Sequence, residues 1–278
     1  MTQLPVYTGK EEDVLSLIRA DFETNAYPFF VEIEKGRVGS SVDGDYTHRI
    51  ESPISGLLYI GTLKLTGYNC RWFFSTRFKY DSKSGDKSWI CYAVFFQNCT
   101  AVFISHALRR FNERALENSE PSVDSVFFKY VLPQLEYVRT GIDSNKDNTL
   151  FMRVDEGAFL SYTFLNDGNY WLRTFINKDQ MFGTQTKLSD ALDEIRYFEM
   201  DLGINITTIF QPEVRERIRI WRLASEENYR RYSTIIAAVR FVLDTANDDL
   251  LDNEDKEFLG LVAGEQPILK MSKIQSCT

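Results

Sequence analysis

Histidine is scarce in this chain. His48 and His106 are the only two in 278 residues, and His106 is followed closely by Arg109, Arg110, Glu113 and Arg114. At helical spacing, His106, Arg109, Arg110, Glu113 and Glu117 share one face, while Leu108, Phe111 and Ala115 share the other. Ser105 as N-cap would set His106 in the first turn, where the helix dipole disfavours a positive charge. An uncharged imidazole there can take a proton from a hydroxyl while neighbouring guanidiniums hold a phosphate. His106, Arg110 and Glu113 form the candidate catalytic set. The same spacings also make an ordinary solvated, salt-bridged helix face, Arg109 and Arg110 toward Glu113 and Arg114 toward Glu117.

Other chemistry finds less support. Two histidines, with no H-E-x-x-H and no C-x-x-C, give no zinc site. Cys70, Cys91, Cys99 and Cys277 read as reduced thiols, three of them within strand-like sequence. Gly85-Asp86-Lys87-Ser88 lacks the spacing of a phosphate loop and reads as a turn. Asp143 to Asn148 starts like a calcium loop, but Asn148 and Val154 stand where glycine and a bidentate glutamate are required. No metal and no cofactor are expected. Arg215, Arg219 and Arg222 share a face of a C-terminal helix, suited to phosphate or an acidic partner. The acidic stretch Asp244 to Glu257 is placed to neutralise it within the molecule.

The surrounding sequence sets the elements that must carry these groups. The hydrophobic fraction is 44%, aromatics are 14% and the net charge is −8, a globular composition without the overall basic footprint of a nucleic-acid binder. Residues 10–25 read as a helix closed by Pro28, Phe29 to Glu34 as a strand, and 37–54 as a loop holding His48. A β meander follows over 56–104, with Arg71 to Tyr80 and Trp89 to Phe96 as a hairpin around Gly85. The His106 helix is followed by another from Val123 to about Val138, kinked by Pro133, and by a polar loop, Thr140 to Asn148. Leu150 to Val154, Ala158 to Phe164 and Tyr170 to Ile176, divided by Asp-Glu-Gly and Asn-Asp-Gly, read as a three-stranded antiparallel meander. Helices are expected at 188–202, 213–245 and 252–262, and a tail at 265–278. The fold class is α+β: antiparallel β meanders, an intervening helical pair and a C-terminal helical bundle. Its regions are 1–104, 105–182 and 187–278.

The string carried by Ser105, His106, Ala107, Arg110, Glu113 and Arg114 resembles the helix of toxin-like nucleases of the barnase–EndoU–colicin–RelE superfamily. In those proteins a helical His and Arg precede an antiparallel sheet that adds polar residues. The resemblance implies metal-independent RNA cleavage. His106 would act as base or acid, Arg110 and Arg173 would stabilise phosphorane-like charge, and Thr174 would position the substrate. Arg109, Arg114, Arg173 and Thr174 would bind the nucleic acid. On a regular strand Arg173 and Thr174 face opposite sides, so sharing one site requires a bulge. More generally the chain resembles uncharacterised bacterial and mobile-element proteins.

Two functions follow as expectations. One is a non-enzymatic protein-interaction module that binds another protein or itself. The alternative is the ribonuclease, with RNA as its partner. Neither a signal peptide nor an apolar run of membrane-spanning length is visible, so a cytoplasmic location with no membrane partner is expected.

Overall fold

The computed structural model describes residues 4–37, 44–66, 69–82, 87–96, 100–135, 139–143, 149–161, 164–165, 169–204 and 211–246. It is an α+β protein. In chain order the elements are β1 (Val6–Thr8), α1 (Glu11–Asp21), α2 (Tyr27–Arg37), β2 (Gly44–Glu51), β3 (Leu58–Thr66), β4 (Asn69–Asp81), β5 (Ser88–Phe95) and β6 (Thr100–Ile104). Next come α3 (Ser105–Ala115), α4 (Val123–Val126), α5 (Leu132–Gln134), β7 (Arg139–Asp143), β8 (Thr149–Val154) and β9 (Gly157–Ser161). The last are β10 (Phe164–Leu165), β11 (Asn169–Leu172), β12 (Thr174–Asn177), α6 (Thr184–Leu202), α7 (Pro212–Ala224) and α8 (Glu226–Ala246). Two compact units form. One holds Met1–Glu136, Asn148–Leu150 and Val154–Gln180, the other Tyr137–Asp147, Phe151–Arg153 and Met181–Thr278.

The first unit is built on a sheet in the order β10-β11-β6-β5-β4-β3-β2, with β1 pairing parallel to the end of β4. Alternation along β4 decides what each face carries. Phe74, Phe78 and Tyr80 share a face with Tyr59 and Leu63 of β3 and Ala93 and Phe95 of β5. Ser75 and Arg77 share the other with Tyr92 and Phe103.

The aromatic face is covered by α1 and α2. Val14, Ile18, Phe22, Ala26 and Phe30 are all buried, a stripe at spacings of four. Phe29 to Glu34, expected as a strand, is therefore helix. Pro28 does not end the helix because a π-helical turn, Phe22–Ala26, precedes it, with the Tyr27 N–H bonded to the Phe22 carbonyl five residues back. That widening accommodates a ring which a regular turn would press against the carbonyl four residues earlier. Close approach of α2 to the sheet requires Gly61, since a Cβ there would lie 2.5 Å from a ring carbon of Phe30.

The opposite face carries α3 and the α4–α5 segment. Here too a π-helical turn, Phe127–Val131, comes just before a proline, Pro133 in α5. The Phe127 ring stacks on Tyr92 at 4.5 Å and meets Phe103 at 5.9 Å. α3 buries Ala107, Leu108 and Phe111, and Phe111 packs against Phe159 and Phe175 of the antiparallel β9–β12 pair.

Three further expectations are corrected. The loop over 37–54 contains β2, eight residues paired in register with β3. The strand expected over Tyr170 to Ile176 breaks at Arg173: β11 joins the large sheet parallel to β6, while β12 pairs with β9. The helix expected over 213–245 is two helices, since Ser225 is extended and its hydroxyl accepts the Asn228 N–H at 3.0 Å, an N-cap for α8. The expected helix at 252–262, the tail at 265–278 and most of the calcium-loop-like segment lie outside the described residues.

The second unit packs α6, α7 and α8 around Ile195, Phe198, Ile218, Tyr232 and Ile235. Gly203, in the left-handed region at φ 60°, ends α6, and the Ile204 N–H reaches back to the Glu199 carbonyl. Buried Arg153 of β8 bonds Ser189 Oγ at 2.7 Å and Asp193 at 3.0 Å.

Candidate functional site: an aromatic cleft

The residues of the His106 helix divide by what they touch. His106 and Arg109 are exposed on the outer side of α3. Arg110 pairs with Glu113 at 3.1 Å, the salt-bridged spacing expected on a solvated face. Arg114 is drawn to β12, donating to the Phe175 carbonyl at 2.5 Å, while Asn177 Nδ2 donates to the Arg114 carbonyl at 2.8 Å. Arg173, at the break between β11 and β12, bonds both carboxylate oxygens of Glu11 at 2.6 and 2.7 Å. Thr174 sits half-buried on β12 opposite Leu160. α3 begins at Ser105 itself, and Glu117 lies beyond its end in the left-handed region, so the polar face closes at Glu113 and Arg114. The geometry thus joins Arg110 to Glu113 and Arg114 to β12, and gives Arg173 a partner on α1.

The arginines of the second unit are engaged close to home. Arg219 pairs with Glu216 at 2.9 Å and Arg230 with Glu226 at 2.5 Å. Arg231 pairs with Asp201, and Arg222 lies 5.0 Å above the Tyr232 ring. Arg217 donates to the carbonyls of Leu202 and Gly203 at the end of α6. Among the described residues no cluster of His, Cys, Asp and Glu is arranged to hold a metal ion. Cys91 is a buried free thiol whose pKa burial pushes well up.

A different site stands on the aromatic face of the first sheet. Where α1 gives way to α2, a cleft of about 670 Å³ opens, walled by Phe22, Tyr27, Phe30, Trp72, Phe74 and Phe95. Phe22 stacks on Phe95 with centroids 4.2 Å apart, and Trp72 on Phe74 at 5.5 Å. Tyr27 meets Phe74 edge-on at 5.9 Å. These contacts hold the rings in offset and T-shaped arrangements that leave their faces rigid. Tyr27 is 47% exposed and Phe29 39%. Trp72 Nε1 is buried without a hydrogen-bond acceptor among the described residues. The Arg19 guanidinium is tied to Glu23 at 2.6 Å and to the Phe96 carbonyl and Thr100 Oγ1, each at 3.2 Å. Glu23 and Glu34 add carboxylates to the lining.

The helix bordering the cleft is anchored at the end of α1. Asp21, the last residue of α1, accepts hydrogen bonds from Asn25 Nδ2, Ser52 Oγ, Ser55 Oγ and Tyr59 Oη, at 2.6 to 2.7 Å. Desolvation pushes its carboxyl up, but those four donors outweigh it and hold the group below the usual carboxylate range. Burial, then the bond to Asp21, raises the Tyr59 phenol strongly. Sequence alone hides the cleft because Pro28 reads as a helix terminus. The signal for it was present: the four-residue spacing from Ile18 through Phe22 and Ala26 to Phe30 runs straight across Pro28.

No family model, curated protein or solved structure matches the chain. Among the described residues no helix is long and apolar enough to cross a membrane.

Proposed function

We propose that the protein is a non-enzymatic interaction module. Its cleft takes an aromatic or aliphatic side chain from a partner polypeptide. The observation that supports this most is the cleft itself, a concave aromatic surface beside the exposed Tyr27 and Phe29. Rigid aromatic walls are what an anchor side chain needs, because they give contact area with little ordering cost. Glu23 and Glu34 outnumber Arg19 among the charged residues of the lining, so the cleft is net negative, which favours a lysine or arginine beside the anchor. Selection from a random peptide library tests this. Wild-type protein should enrich peptides with an apolar anchor next to a basic residue, and Tyr27→Ala should weaken them about tenfold, the loss of one aromatic contact. Enrichment that is identical on a Trp72→Ala, Tyr27→Ala double variant would remove the cleft from the reading.

The ribonuclease reading rests on His106, Arg109 and the Arg110–Glu113 pair, which stand together on the outer side of α3. Loss of RNA cleavage in His106→Ala, with unchanged thermal stability, would support it. Wild-type protein inert toward RNA would end it.

A further inference from the structure

β2 closes one edge of the large sheet, and among the described residues no strand pairs with its outer side. It is eight residues long, and Gly44 to Glu51 contains no proline. Such an edge is a template for another strand.

The direction of its free groups can be read from the hairpin. The Ser52 N–H bonds the Leu57 carbonyl at 2.8 Å, and the register pairs Glu51 with Leu58 and Ile50 with Tyr59. Hydrogen-bonded pairs alternate in an antiparallel ladder. Residues 44, 46, 48 and 50 therefore turn their main-chain groups toward β3, and 45, 47, 49 and 51 turn theirs outward. The same parity holds across the sheet. The Ser82 N–H bonds the Lys87 carbonyl, so even residues of β4 turn toward β5, and odd Lys79 turns the other way, to the Pro5 carbonyl.

We infer that β2 pairs antiparallel with β2 of a second copy of this chain, centred on Thr47, making one continuous sheet across a two-fold axis. Outward groups must meet outward groups, so only registers joining odd to odd are allowed. Centring on Arg49 sets like charges opposite each other. Centring on His48 sets Asp45 opposite Glu51. Centring on Ile50 matches Arg49 with Glu51 but uses only the end of the strand. Centring on Thr47 pairs residue 47 with itself and 45 with 49 twice, an aspartate opposite an arginine each time. It engages Gly44 through Ile50, nearly the whole strand. Thr47 and Arg49 are exposed in the single chain, as this pairing requires. This surface is separate from the aromatic cleft, so either reading can fail alone.

Sedimentation equilibrium of the full chain tests it. Wild-type protein should be a dimer at micromolar concentration. Thr47→Pro removes an outward N–H that β3 does not use, and should give a folded monomer. Arg49→Asp should raise the dimer dissociation constant about tenfold, by turning both attractive pairs repulsive. Adding Asp45→Arg to it should restore the wild-type constant, a rescue that a change in folding alone would not produce. A monomeric wild type, or a dimer that ignores both Thr47→Pro and Arg49→Asp, overturns the inference.

Discussion

The two sides of the large sheet are covered by helical segments built on the same plan, with different results. On one side Asp21 precedes a π-helical turn that starts at Phe22 and is followed by Pro28. On the other, Asp124 precedes a π-helical turn that starts at Phe127 and is followed by Pro133. In each, the carboxylate accepts a phenol from the sheet, Tyr59 for Asp21 and Tyr92 for Asp124, and the phenylalanine ring packs beside that tyrosine. The difference lies in the other bonds. Asp124 also takes the Arg77 guanidinium from the sheet, so its helix is clamped where it starts, and Phe127 is closed in by Tyr92, Phe103 and Phe128. Asp21 instead binds the turn at Ser52 and Ser55, to one side. The helix beyond it is held by ring contacts, with the cleft beside them. One local device thus borders closed core on one face and an open aromatic cleft on the other.

Truncating the two phenylalanines should break this comparison most severely. Phe127→Ala should cost about 3–5 kcal/mol in urea unfolding, the range for a buried ring that leaves a cavity. Phe22→Ala should cost somewhat less: the ring is buried, but it lines the cleft, so part of the space it vacates joins an existing opening. Equal costs would mean that the cleft is filled in solution.

Next come the carboxylates. Asp21→Asn should cost about 1–3 kcal/mol at pH 7, since charge-assisted bonds to buried Tyr59 and its neighbours are weakened, and Asp124→Asn about 1 kcal/mol, because its carboxylate is 45% exposed and screened by solvent. For Asp124, desolvation raises the carboxyl, but Arg77 and Tyr92 bring it below its ordinary value. Both groups are therefore depressed in the folded state. Their stabilisation is complete above the unfolded aspartate value of about 3.9 and is lost as pH falls through each folded value. Urea curves at pH 7, 5 and 3 should show each variant's deficit constant between pH 7 and 5 and smaller at pH 3. A deficit unchanged at pH 3 would sink the electrostatic account.

The smallest effect belongs to the prolines. Pro28→Ala and Pro133→Ala should each change stability by about 1 kcal/mol or less, because the helix is already widened to receive the ring. A large loss at Pro28 alone, by the same unfolding measurement, would show that the two segments are not equivalent.

Period-two and period-four patterns made much of this legible. The long β4 strand, its hairpin with β5 and the apolar side of α3 follow from alternation and from the Leu108 and Phe111 spacing. What the sequence hid were places where one local rule was overridden. Phe29 to Glu34 alternates like a strand, but helix packing over Gly61 decides it. Pro28 is a stop signal only in a regular α-helix. Ser225 followed by two glutamates is a helix-start signature, masked by a periodicity that continues past it. The break at Arg173 removes the problem of its parity with Thr174: Arg173 lies between the two strands and belongs to neither, while Thr174 opens β12. Of the candidate residues, the Arg110–Glu113 pair was legible from spacing. The ties of Arg114 to β12 and Arg173 to Glu11 were not, because they join residues 61 and 162 positions apart.

That break also bears on the order in which the chain assembles. β2 through β6 are joined by hairpins and can zip up from neighbouring residues. β11 reaches β6 from far along the chain, and the bond from the Thr100 N–H to Asn169 Oδ1 closes a separation of 69 residues. Closing so long a loop is entropically costly before any contact repays it. The β6–β11 pairing should form late. Substitutions at Trp171 should then speed unfolding while leaving the folding rate nearly untouched.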